Sequence, residues 1–282
     1  MDRTRQTRFS APRQHAALFD PLPADPEGIG AVIRNLAVHY RASGIDFRPD
    51  RLREIDSRWV DRMLDADRRR FTTPLAEPRP PEKRIVGCCR DFTLLTVAAL
   101  RHKGVPARSR VGFADYFDPT FHLDHVITEY WDGARWVATD TQFGLPDVRL
   151  SVGGLRPAAQ VWLAYRRDEV DVSTFGVGPE LPAELRGAAF VRNYVIYEAA
   201  HRLGDELLLW DVWGDVSLEL GHDLALIDEL ADLLQSADAG DAAAERKLAD
   251  RYADDPRLHP GDRITCVTPA GRPYEVDLRR ST

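Results

Sequence analysis

Apolar side chains recur at helical spacing from residue 29 onward: Ile29, Val32, Ile33, Leu36, Ala37 and Tyr40, behind Asp25-Pro26-Glu27. An aspartate N-cap with proline at the first helical position starts a helix, and Ser43-Gly44 ends it. Leu52, Ile55, Trp59 and Met63 share one face of a second helix that begins near Asp50;. Four prolines within 74–81 predict an extended connector;. Over 90–102, Phe92, Leu94, Leu95, Val97, Ala98, Ala99 and Leu100 leave almost no polar face, the pattern of a central, buried helix. Lys103-Gly104-Val105-Pro106 stops it, with glycine suited to the position just past the helix and proline close behind;.

Ala107 to Ala114 reads as a strand and 115–124 as a loop. Alternating segments 126–131 and 134–139 flank Asp132-Gly133, the strongest short-range hairpin signal;. Helices are expected over 156–167, 183–203, 222–236 and 241–253, and a small terminal hairpin over 263–268 and 273–278. The stripe Leu224, Ile227, Leu230 and Leu234 reads as core or as a dimer face, so a homodimer is an open expectation;. The organisation expected is a tail or extended arm at 1–24, an N-terminal helical segment at 25–80 and a catalytic core at 81–150. A helical extension at 151–220 and C-terminal helices with a hairpin at 221–282 complete it.

Composition adds bounds. A chain of 282 residues with 44% hydrophobic and 29% charged side chains can bury a sizeable core;. Its net charge of −7 argues against nucleic acid or anionic membrane as the main partner;. The chain lacks a run of ~18 apolar residues and its N-terminus lacks a signal-type apolar core;. Three cysteines, two of them adjacent, make no disulfide framework;. A cytoplasmic protein is the resulting expectation. Adjacent cysteines also lack the spacing of a zinc site, so His122 and His125 with Cys88 and Cys89 are not read as metal ligands, and no cofactor is expected;.

The chemistry lies in Gly87-Cys88-Cys89-Arg90-Asp91-Phe92, which puts a thiol at the start of the buried helix. A helix N-terminus carries roughly half a positive charge and lowers a thiol from its reference pKa of about 8.5. A two-residue turn at Asp132-Gly133 would set Trp131 opposite Ala134, and the same register continued would set His125 opposite Asp140. Their Cβ atoms would then lie roughly 4.5–5.5 Å apart. A four-residue loop would instead make Asp140 a diagonal neighbour on the same face, and a three-residue loop would separate the two. Asp124 neighbours His125 in sequence and would point to the other face. A thiolate with an imidazole held by a carboxylate is the constellation of nucleophilic acyl transfer, and backbone N–H groups at the helix end suit an oxyanion.

The hexapeptide, together with Leu100-Arg101-His102-Lys103-Gly104-Val105-Pro106-Ala107-Arg108, His125-Val126-Ile127-Thr128-Glu129-Tyr130 and Trp136-Val137-Ala138-Thr139-Asp140, resembles the core of the transglutaminase-like superfamily. The resemblance covers 84–142, about a fifth of the chain. It implies an α+β, papain-like fold with a central cysteine-bearing helix packed on an antiparallel sheet, here with helical N- and C-terminal additions. It also implies a triad of Cys89, His125 and Asp140, with Cys88 at a variable position and Trp59 as the candidate side-chain oxyanion donor. The reaction implied is attack on a peptide, amide or thioester carbonyl through a thioester intermediate, with water favoured over an amine as acceptor. A non-catalytic binding module on the same scaffold is the alternative. Trp131, Trp136, Trp210 and Trp213 are the candidate substrate-binding residues, against a default of packing.

Overall fold

The computed structural model describes residues 2–217, 220–221 and 223–279. The first predicted helix forms as α1 (Pro26–Leu36), with Asp25 accepting a hydrogen bond from the Gly28 N–H. It ends early because the chain turns extended at β1 (Ala37–His39). The second predicted helix is broken into α2 (Pro49–Leu52), a 3₁₀ turn over Arg53–Asp56 and α3 (Val60–Arg68). The break falls where Arg58 leaves the helical path to meet buried Asp211 at 2.5 Å.

β2 (Ile85–Gly87) pairs in parallel with β1 and leads into α4 (Cys89–His102), buried from Cys89 through Arg101. The main sheet is built from β3 (Ala107–Ala114), β4 (His122–Trp131), β5 (Trp136–Thr139) and β6 (Leu155–Pro157), in the antiparallel order β5-β4-β3-β6. α5 (Ala158–Arg166) follows, then β7 (Phe175–Gly176), which pairs with the start of β4. α6 (Ala188–Leu203) packs on β3 and α5. β8 (Asp211–Val212), α7 (Leu224–Asp238), α8 (Ala242–Asp254), β9 (Arg263–Cys266) and β10 (Tyr274–Asp277) complete the chain. The expected terminal hairpin is β9–β10, and β8 extends it to three strands. The α7 helix was expected from residue 222, which lies outside the described residues. Helices joined to an antiparallel sheet, with the cysteine helix against β3 and β4, make the fold α+β.

The segment 1–24, expected as a tail or an extended arm, lies against the core over its described residues. Phe9, Phe19 and Leu22 are buried in the main core, and a 3₁₀ turn forms over Arg13–Phe19. Gln6 donates to the Ala98 carbonyl of α4, and Ala107 donates to the Arg3 carbonyl. An arginine-rich opening therefore hides apolar anchors spaced too widely to show a period. Among the described residues, no helix is long and apolar enough to cross a membrane.

Candidate active site

The N-terminus of α4 is set by its own side chains. Cys88 stands in extended backbone as the cap, and the Asp91 carboxylate reaches back to accept its N–H at 2.8 Å. That carboxylate occupies the space beside Gly87, where a Cβ would come within 2.5 Å of Asp91 Oδ2. Glycine is thus required by the cap itself. Burial pushes Asp91 up to about 6, against the opposing pull of Arg90, whose Nη1 sits 2.9 Å from Oδ1. Asp91 is a capping residue, and Cys89 becomes the first residue of the helix.

His125 lies on β4 and Asp140 just past β5. The hairpin between them is not the two-residue turn expected: Trp131 pairs with Trp136 and Thr128 with Thr139, leaving residues 132–135 as a four-residue loop. Asp132 causes the widening, its Oδ1 accepting the N–H groups of Ala134 and Arg135 at 2.7 and 2.8 Å. Gly133 supplies the positive φ of 106° that the loop needs;. Asp140 is therefore diagonal to His125 and still on its face. The imidazole Nε2 lies 2.8 Å from Asp140 Oδ2, both residues buried. Tyr116 donates its hydroxyl to the same oxygen at 2.7 Å, and Phe117 meets the ring edge-on at 5.0 Å. With Nε2 committed to Asp140, the other ring nitrogen is left for Cys89, and the charges of the two groups favour each other.

The electrostatics separate the two thiols. The Cys88 hydrogen bond to Cys89 drives Cys89 well below the ordinary thiol value, and His125 reinforces this against the cost of burial. The same bond, with burial and Asp91, drives Cys88 well above it. For His125, burial disfavours the cation, but Asp140 and Cys89 outweigh it and push the ring up to about 10. Burial works to raise Asp140, yet His125 and Tyr116 hold it below the usual carboxylate range. The arrangement favours a thiolate–imidazolium pair at neutral pH.

These groups open onto a cavity of about 680 Å³, lined by Cys88, Cys89, His125 and a largely apolar wall that includes Tyr40, Phe117, Phe143, Phe190 and Trp210. Of the four candidate tryptophans, only Trp210 reaches it. Trp131 and Trp136 pack edge-to-face at the far end of the hairpin, where Arg108 stacks on Trp136, so the shared strand face does not bring them to the site. Trp213 is buried and donates to the Leu258 carbonyl at 2.7 Å. Trp59 stands at the start of α3 against the core and is not among the cavity-lining residues. Asp124 also lines the cavity, but, as its place next to His125 on the strand predicts, it turns elsewhere: its Oδ2 accepts from Tyr194 at 2.5 Å and not from His125. Burial pushes it up to about 7. His122 is turned to Asp115 at 2.7 Å. Sequence reasoning missed His39 and Tyr116. Neither belongs to a long periodic segment, and both reach the site through long-range strand pairing or a loop.

Residues 58–141 match the family model of the transglutaminase-like superfamily. Among solved structures, the chain is similar to a "putative cysteine protease" from Cytophaga hutchinsonii. Identity is 19%, the TM-score is 0.34, and the match covers 56% of this chain and 47% of that one, so it spans about half of that protein's length. No curated protein matches the chain. The family match supports a cysteine-dependent enzyme in general. The matched segment is the one that holds Cys89, His125 and Asp140.

Proposed function

We propose that the protein is a cysteine acyl-transfer enzyme acting by a Cys89–His125–Asp140 triad, with water as the final acyl acceptor. The carrying observation is His125, fixed by Asp140 at 2.8 Å with its other face toward a thiol held below the ordinary thiol range. The Cys89 thiolate attacks the acyl carbon and forms the S–C bond. The bond from that carbon to the leaving group breaks as His125 gives the leaving group its proton. Water then attacks the thioester, passes a proton to His125, and the S–C bond breaks to release the acid. Asp140 keeps the ring's tautomer and orientation throughout.

The cavity supports a substrate whose acyl group is bulky and apolar, since aromatic and aliphatic side chains form most of its wall;. A peptide, amide or thioester of that kind fits the reading. The reaction is tested with p-nitrophenyl esters of aromatic acids, followed by release of nitrophenolate and by intact mass of the acyl-enzyme. Cys89→Ala should lower turnover by about 10⁴-fold or more and abolish the adduct. Full activity in that variant would sink the proposal. Adding a primary amine separates the acceptors: amide product outcompeting hydrolysis at millimolar amine would replace water by an amine as the acceptor.

A further inference from the structure

We infer that His39 is a side-chain oxyanion donor, its Nε2–H acting beside the backbone N–H of Cys89. This rests on Cys89 being the nucleophile. The parallel pairing of β1 with β2 sets His39 opposite Gly87, two positions before Cys89, and the Tyr40 N–H locks that register by donating to the Gly87 carbonyl at 2.9 Å. The His39 ring stacks on Tyr40 with centroids 5.3 Å apart and lines the same cavity as Cys89 and His125.

Its tautomer follows from its own loop. The backbone N–H groups of Arg41 and Ala42 both donate to His39 Nδ1 at 3.1 Å. A nitrogen that accepts two hydrogen bonds carries no proton, so the neutral ring must hold its proton on Nε2. Burial holds the ring neutral, down to about 4, although the Cys89 charge pulls the other way. The site thus contains two imidazoles in opposite states. His125 is cationic and moves protons, whereas His39 is neutral and has a fixed N–H to offer. Tetrahedral attack on a carbonyl creates a negative oxygen, and preorganised neutral donors aimed at it stabilise the transition state. The Cys89 N–H is among the first-turn donors that helix geometry leaves without an intrahelical acceptor, so the two donors would flank one position above the sulfur. Trp59, the candidate upstream donor in the sequence, is not at the cavity.

The test compares two reactions of one thiolate. Alkylation by iodoacetamide attacks a saturated carbon and develops no oxyanion, whereas acylation by p-nitrophenyl phenylacetate does. His39→Phe, which keeps the ring volume, should cut the acylation burst by about 10²–10³-fold, the loss typical of one oxyanion donor, with alkylation within about threefold of wild type. His39→Gln, which can restore an N–H at similar reach, should recover about tenfold or more of the loss. Unchanged acylation in His39→Phe would overturn the inference, as would equal loss of acylation and alkylation, since that marks a role in folding or in thiolate formation. A burst that survives in Cys89→Ala would sink the nucleophile assignment and the inference with it.

Discussion

Two clusters of buried charge share the main sheet, and they are built differently. Around Arg110, cations and anions answer one another within the protein. Arg110 pairs with Asp238 at 2.5 Å and Glu198 at 3.3 Å, Arg108 with Glu129 at 2.6 Å, and Arg202 with Asp238 at 2.5 Å and Glu245 at 2.6 Å. Arg3 adds a further pair to Glu245 at 2.8 Å. Around Cys89 the pairing is shorter and ends at a cavity: Asp140 meets His125, His125 meets Cys89, and past the thiol the space is bounded by a largely apolar wall. Buried charge becomes useful chemistry when its outermost member is left facing a place where a substrate can come. When both ends are closed, the same residue types hold segments together.

That contrast can be broken at either end. Asp140→Asn keeps the shape of the active-site pair but removes the charge that supports the imidazolium, and should lower acyl transfer by about 10³–10⁴-fold with little change in melting temperature. A large loss of stability instead would place Asp140 in the structural class. Arg110→Ala should do the reverse. It leaves Glu129, Glu198 and Asp238 short of a cation in a buried setting and should cost about 3–5 kcal/mol in chemical denaturation, while Cys89 alkylation below the transition stays near wild type.

A subtler probe is pH. An ordinary thiol loses roughly 80-fold in thiolate between pH 8 and pH 6. Cys89, held below the usual range, should lose far less of its iodoacetamide rate over the same interval. At the other limb, acyl transfer should fall as His125 gives up its proton near pH 10, because the leaving group then lacks its acid;. A Cys89 profile that tracks free cysteine would show that the two clusters differ less than their geometry implies. The smallest expected effect is Tyr116→Phe. It removes one hydrogen bond to the Asp140 carboxylate and should cost about tenfold in acyl transfer, consistent with about 1.5 kcal/mol for a bond to a charged group;.

Much of this was legible in the sequence for identifiable reasons. The buried helix and β3 announce themselves because their patterns are long and local. Cys89 is marked by the cap that glycine and Asp91 build around it. Hairpin register puts the histidine and the aspartate on one face, and they meet although the loop is two residues longer than a two-residue turn. The parity of a strand survives a shift by two, and this is why the pairing was robust. His39 was not legible, since β1 is three residues long and its register against β2 is a tertiary fact. The docked N-terminal segment escaped for the same reason: Phe9 and Phe19 follow no local period.

That segment also has a consequence in time. Arg3 bonds the carbonyl of Arg202 and the carboxylate of Glu245, partners 199 and 242 residues further along. At 5–20 residues per second of synthesis, Arg3 must wait roughly 10–50 s for the last of these partners to be made. Phe9 and Phe19 wait less, since they pack by α3 and α4, which are complete by His102. The ion pair that ties this segment to α8 is therefore among the last contacts to close, and a slower ribosome delays it.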